Sequence, residues 1–105
     1  MESQILANKI KDILEDKKGV EPEIIHIGDK TTLADYFVIV TGTSSTHVKA
    51  LAGEVESKLS EEGISPLNFE RKMSDSWIAL DYKDVILHVF SEEARELYDL
   101  EKLWK

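Results

Sequence analysis

The stretch ADYFVIVTGTSSTHVKALA, Ala34 to Ala52, decides the fold. Its run Tyr36-Phe37-Val38-Ile39-Val40 is apolar without alternating with polar residues, which predicts a strand covered on both faces, as in the middle of an α/β sheet. Gly42 then turns the chain. Thr43, Ser44, Ser45 and Thr46 offer hydroxyls to the first turn of a helix, and Val48, Leu51, Ala52, Val55 and Leu59 follow at helical spacing. Inside that spacing Gly53 costs about 1 kcal/mol against Ala, so it is expected to mark a close contact. Gly63 is the natural stop. A strand buried on both faces requires helices on both sides.

Upstream, Ile5, Leu6, Ile10, Ile13 and Leu14 share one helical stripe, while Lys9, Lys11, Asp12, Glu15 and Asp16 fill the opposite side. This surface helix ends near Gly19, which suits a left-handed residue, and Pro22 prevents its continuation. Glu23-Ile24-Ile25-His26-Ile27, bounded by Pro22 and Gly28, reads as an outer strand. The linker Asp29-Lys30-Thr31-Thr32 leaves no room for a crossover helix, so this strand and the one at Tyr36 are antiparallel neighbours.

Downstream, Ser65-Pro66-Leu67-Asn68-Phe69-Glu70 reads as a short edge strand and Arg71-Lys72-Met73-Ser74-Asp75-Ser76 as a polar loop. Trp77 to Tyr82 and Val85 to Phe90 form a hairpin around Lys83-Asp84. Ser91 is a good N-cap, followed by Glu92 and Glu93 where the helix dipole favours negative charge. Ala94, Leu97, Tyr98, Leu100, Leu103 and Trp104 give the final helix a wide apolar face. The expected fold class is α/β (α+β): a single mixed β-sheet flanked by helices, in the order α-β-β-α-β-β-β-α, with residues 1–105 as one domain.

That length suffices for a real core without staples. There is no Cys, which excludes disulfides and thiolate zinc sites. The start Met1-Glu2-Ser3-Gln4 has no signal-like apolar region, and nowhere is there an apolar run of bilayer length, so a cytoplasmic protein without membrane contact is expected. Thirteen basic against 21 acidic residues leave a net charge of −8, which disfavours a phosphate-backbone binder and suits a basic protein partner.

Catalytic chemistry finds little support. The Gly42-Thr43-Ser44-Ser45 turn is the kind of place where backbone N–H groups bind phosphate, but it lacks both the P-loop ending and the Gly-x-Gly-x-x-Gly pattern. Hydroxyl capping is the commoner use of such side chains. Nucleotidyltransferases hold two metal ions with an Asp-x-Asp pair on a strand following such a turn, whereas Asp81 here is spaced from Ala79 and Lys83. His26, His47 and His88 lie on different elements without ligand spacing, and His88, alternating with Ile86 and Phe90, reads as a core or half-buried histidine with a satisfied hydrogen bond. No metal or cofactor is expected. A nucleotide-binding enzyme using the Gly42 turn and Asp81 stands as the alternative to a binding module. Trp77 is different in kind: it lies opposite the face of Ile78, Leu80 and Tyr82, beside Met73, Arg71 and Lys72, where it is either an interface anchor with an ionic rim or covered by a helix.

Three stretches together, ADYFVIVTGTSSTHVKALA, WIALDYKDVILHVF and LYDLEKLW, resemble the ribosomal silencing factor family, also called Iojap-related, over about Ile5 to Trp104. The resemblance implies a nucleotidyltransferase-like fold without the catalytic carboxylates. It also implies a repressor that docks on the large ribosomal subunit through ribosomal protein uL14 and blocks joining of the small subunit when nutrients are scarce, and a homodimer when free. Carried onto this chain, the docking residues are Trp77 as apolar anchor, Met73 beside it, Glu70, Asp81 and Asp84 facing basic groups, and Tyr82 next to Asp81. Asp35, Ser45 and His47 are secondary surface candidates. Two positions depart from family habit: Lys83 stands where Gly is usual, and Glu70-Arg71 where Glu-Gly is common.

Overall fold

A computed structural model describes residues 2–67 and 72–105, the backbone alone for 72–74. The elements are α1 (Ser3–Asp16), β1 (Val20–His26), β2 (Tyr36–Gly42), α2 (Ser45–Ser60), β3 (Lys72–Ser74), β4 (Trp77–Asp81), β5 (Val85–Ser91), α3 (Glu92–Tyr98) and α4 (Leu100–Trp104). The strands make one five-stranded mixed sheet in the order β1-β2-β5-β4-β3. As the sequence predicts, β1 is an outer strand antiparallel to β2, and β4 and β5 are an antiparallel hairpin with Trp77 opposite Phe90. β2 and β5 run parallel, Tyr36 beside Val85 through Gly42 beside Ser91.

Because side chains alternate across a strand, these two central strands build two cores. Val38 and Val40 of β2 with Leu87 and Val89 of β5 face α1 and α2 and meet Leu6, Ile10, Leu14, Val48, Leu51, Val55 and Leu59. Phe37, Ile39, Ile86 and Phe90 point the other way, to Ile25, Ile27, Ala34 and Ala94, with Trp77, Leu100 and Trp104 packed against them. The apolar run at Tyr36 is unbroken because both of its faces are walls.

The Ser44 hydroxyl caps α2 by accepting from the His47 N–H at 3.1 Å, so the hydroxyl-rich turn does the capping expected of it. Gly42 is required there by close approach: a Cβ would lie 2.8 Å from the Val48 nitrogen. Ser91 caps α3 through the Ala94 N–H in the same way.

Four expectations are corrected. The left-handed residue ending α1 is Lys18, at φ 62°, not Gly19; Gly19 is small because a Cβ would meet Val40 at 2.6 Å. Nothing lies within 4 Å of a Cβ on Gly53, so that glycine marks no contact. The edge strand is β3 at Lys72–Ser74, inside the stretch read as a loop; residues 65–67 are not strand, and Asn68, Phe69 and Glu70 lie outside the described residues. The final helix is two helices, because Asp99 turns left-handed (φ 45°, ψ 53°), ending α3 and capping α4 through Lys102 N–H. Leu97 and Leu103 are therefore 77% and 69% exposed, and Ile5 of α1 is also largely exposed.

Candidate docking face

At the start of β4, Trp77 lies on the second face of the sheet, half-buried. Its ring is 5.2 Å from that of Phe90 and 4.7 Å from that of Tyr98, with His88 on its inner side at 5.9 Å. The indole Nε1–H donates to His88 Nδ1 at 3.1 Å. Phe37 meets the imidazole edge-on at 4.6 Å and Trp104 at 5.5 Å. Of the two sequence alternatives for Trp77 the covering one is met in part: Tyr98 of α3 packs on the ring beside Phe90 and His88 and leaves it half-buried. Exposed Tyr98, Leu97 and Leu103 continue the apolar surface outward from it.

His88 is 8% exposed. Burial, which disfavours the charged imidazole, pushes it down to about 4. With Nδ1 accepting from the indole, the ring proton sits on Nε2, which has no hydrogen-bond partner among the described residues. The core histidine with a satisfied hydrogen bond that the sequence predicts is what the structure has: Nδ1 is bonded, and Nε2 is not.

The remaining candidates do not gather around Trp77. Asp81 shares its strand face, but four residues of strand separate them by about 13 Å. The Asp81 carboxylate accepts from Lys83 N–H at 2.8 Å, closing the hairpin turn, in which Lys83 takes φ 75°. Asp84 is exposed and its carbonyl accepts from the N–H groups of Asp35 and Tyr36 at 2.8 and 3.1 Å. Asp35, Asp81 and Asp84 therefore form an acidic end of the sheet. Tyr82, expected as a contact residue, is 6% exposed and lies in the first core, on the inward side of the hairpin with Ile78 and Leu80. Ser45 is exposed at the opposite end of the sheet. His47 there joins two helix ends, Nδ1 accepting from Thr43 N–H at 2.9 Å and Nε2 bonded to the Lys17 carbonyl at 3.1 Å. Glu70 lies outside the described residues and Met73 is described in backbone only.

The two parts of the alternative enzyme site, the Gly42 turn and Asp81, lie apart. Gly42 is level with Ser91 and Asp81 with Ile86 on β5, so five residues, about 17 Å of strand, keep the turn and the carboxylate apart. The hollow beside the Gly42 turn, about 440 Å³, is lined by Asp75, Glu92 and Glu93 as well as by Ser44 and Ser45, a negative wall for any phosphate. Among the described residues no group of three or more His, Asp or Glu side chains could hold a metal ion, and no helix is long and apolar enough to cross a membrane.

Behind the face, Arg95 pins the helix pair to the sheet. Its Nε donates to Glu101 at 2.7 Å, and Nη1 donates to the Val20 carbonyl and Thr41 Oγ1 at 3.2 and 3.0 Å. Glu23 lies 3.8 Å from Nη2 and also pairs with Lys105. Hydrogen bonding to the Arg95 guanidinium holds the Glu101 carboxyl down to about 2.

The fold is thus a mixed-sheet α+β domain with a half-buried tryptophan on one sheet face and an acidic sheet end. Comparison with known proteins makes this specific. The profile of the family described as "Ribosomal silencing factor during starvation" matches residues 1–105. The ribosomal silencing factor of Chromobacterium violaceum is 36% identical over 104 residues, 99% of this chain and 85% of its own. That of Halalkalibacterium halodurans is 33% identical over 104 residues, 99% and 89%. A crystal structure of a Chromobacterium violaceum protein superposes with a TM-score of 0.93 at 36% identity, covering 99% of this chain and 87% of that one. The chain belongs to the ribosomal silencing factor family.

Proposed function

We propose that this chain, acting as one domain, is a cytoplasmic translational repressor that docks on the large ribosomal subunit through ribosomal protein uL14 and sterically blocks joining of the small subunit, lowering translation under nutrient limitation. It acts by occupying a surface, without cofactor or catalysis. The observation that carries the reading is Trp77: a large aromatic side chain left only half-buried on a sheet strand is the kind of anchor that dominates protein interfaces. Asp81 and Asp84, with Glu70 and Met73 on the adjoining segment, complete the docking set, and the net charge of −8 complements a basic ribosomal surface. Asp35 adds to the same acidic end. A homodimer of the free protein would cover the same exposed apolar surface of Leu97, Tyr98 and Leu103.

The test is sedimentation with isolated subunits. The protein is expected to travel with large subunits and to lower the yield of joined ribosomes when small subunits are added. Trp77→Ala is expected to weaken docking by about 2 kcal/mol, roughly thirtyfold, with the native circular dichroism retained. No binding to large subunits at micromolar protein would sink the reading.

A further inference from the structure

On the second face of the sheet His88 lies among the apolar Phe37, Ile39, Ile86 and Phe90 of the two central strands, the polar Thr41 further along β2 being bonded to Arg95. An aliphatic or aromatic side chain at this position would pack there without any polar atom to satisfy. The imidazole instead leaves a buried Nε2–H with no hydrogen-bond partner among the described residues, a cost that packing alone gives no reason to bear. What the fold obtains is an acceptor aimed outward. Nδ1 takes the Trp77 indole N–H at 3.1 Å, while the edge of Phe37, 4.6 Å away, keeps the imidazole from rotating.

We propose that His88 is a positioning residue of the docking face, which fixes the Trp77 indole in one orientation and occupies its N–H so that a partner meets an immobilised apolar plate. The proposal rests on the docking reading above. An indole held before binding loses little freedom on binding, and a donor already bonded inside the protein is not stripped of water when the partner covers the ring. Burial suits His88 to the task, since a ring pushed down to about 4 stays neutral near pH 7 and keeps its Nδ1 lone pair. A carboxylate there would be a buried charge, and an amine a second donor.

The experiment compares the full chain with His88→Leu, which removes the acceptor, and His88→Asn, whose side-chain carbonyl oxygen can stand where Nδ1 stands. Binding to isolated large subunits is measured by sedimentation, and exchange of the two indole N–H protons by NMR. The expected result is about tenfold weaker binding for His88→Leu, recovery close to the unsubstituted protein for His88→Asn, and faster exchange at Trp77 but not at Trp104 in His88→Leu alone. Equal binding by His88→Leu, or an Asn variant as weak as the Leu variant, would overturn the proposal while leaving the docking reading intact. If His88→Leu does not fold, His88→Gln replaces it, since its longer side chain carries the carbonyl past the Nδ1 position: Asn binding well and Gln poorly supports the proposal, and equal binding overturns it. Failure of the unsubstituted protein to bind overturns the docking reading and this inference together.

Discussion

Lys83 shows how one side chain can sit against the grain of its backbone. It closes the β4–β5 turn at φ 75°, with its N–H held by the Asp81 carboxylate at 2.8 Å, a conformation in which a Cβ costs roughly 1 to 2 kcal/mol. Glycine would relieve that strain but would gain about 0.4 to 1 kcal/mol of freedom in the unfolded chain. Strain outweighs freedom. Lys83→Gly is therefore expected to raise unfolding stability by about 0.5 to 1 kcal/mol in a urea titration, and a loss of stability would contradict the account. The resemblance points to this position by the unusual lysine alone. The role of Asp81 is also within reach of the sequence, since a lone carboxylate at a strand end commonly closes a turn. The resemblance names Tyr82 among the contacts while its spacing from Ile78 and Leu80 puts it on the inward face, where it is buried, because a family motif does not say which way each of its residues points.

At the scale of elements, long apolar patterns are readable and short or interrupted ones are not. β2, β5, α2 and their hairpin and capping neighbours follow directly from uninterrupted runs and helical spacing, because burial on two faces or on one stripe leaves a mark at every position. β3 is three residues at the sheet edge, with a single strand neighbour and too little length for a period. The break at Asp99 is hidden by the apolar spacing of Leu97, Leu100 and Leu103, which continues through it. Its signal is the residue itself, since Asp both tolerates a left-handed backbone and caps a helix. Gly53 belongs to this scale as well. It lies inside α2, exposed, with open space around it, so Gly53→Ala is expected to stabilise the protein by about 1 kcal/mol through helix propensity alone. Thermal unfolding measures this, and a drop in melting temperature would show that the helix surface is more crowded than described.

For the whole molecule, two groups among the described residues carry shifts that make stability sensitive to acid. Burial lowers His88 to about 4 from an ordinary 6.5. Between those values the unfolded chain takes a proton that the folded one refuses, so stability falls as pH drops from 6.5 toward 4, by at most about 1.4 kcal/mol per pH unit. Glu101, held down to about 2 by Arg95 from an ordinary 4.5, adds a second loss as pH falls through that lower range. The expectation is a stability plateau above pH 6.5 and a decline below it, followed by urea unfolding from pH 7.5 to 4 and flattened above pH 5 in His88→Asn. A flat wild-type profile over that interval would count against a buried neutral imidazole. The charge of −8 and the absence of cysteine narrow the class of chemistry from composition alone, while the candidate docking face depends on which residues meet across strands and is legible only as far as the hairpin register. That same strand order has a consequence for the nascent chain. β5, the middle strand, is made after β1, β2 and β4, and it supplies wall to both cores. Until Val85 to Ser91 have emerged during synthesis, β2 has no partner on that side, and neither α1 nor α2 can bury its apolar stripe against a finished sheet. The growing polypeptide therefore stays open and sticky until β5 emerges, and its closure depends on contacts distant in sequence.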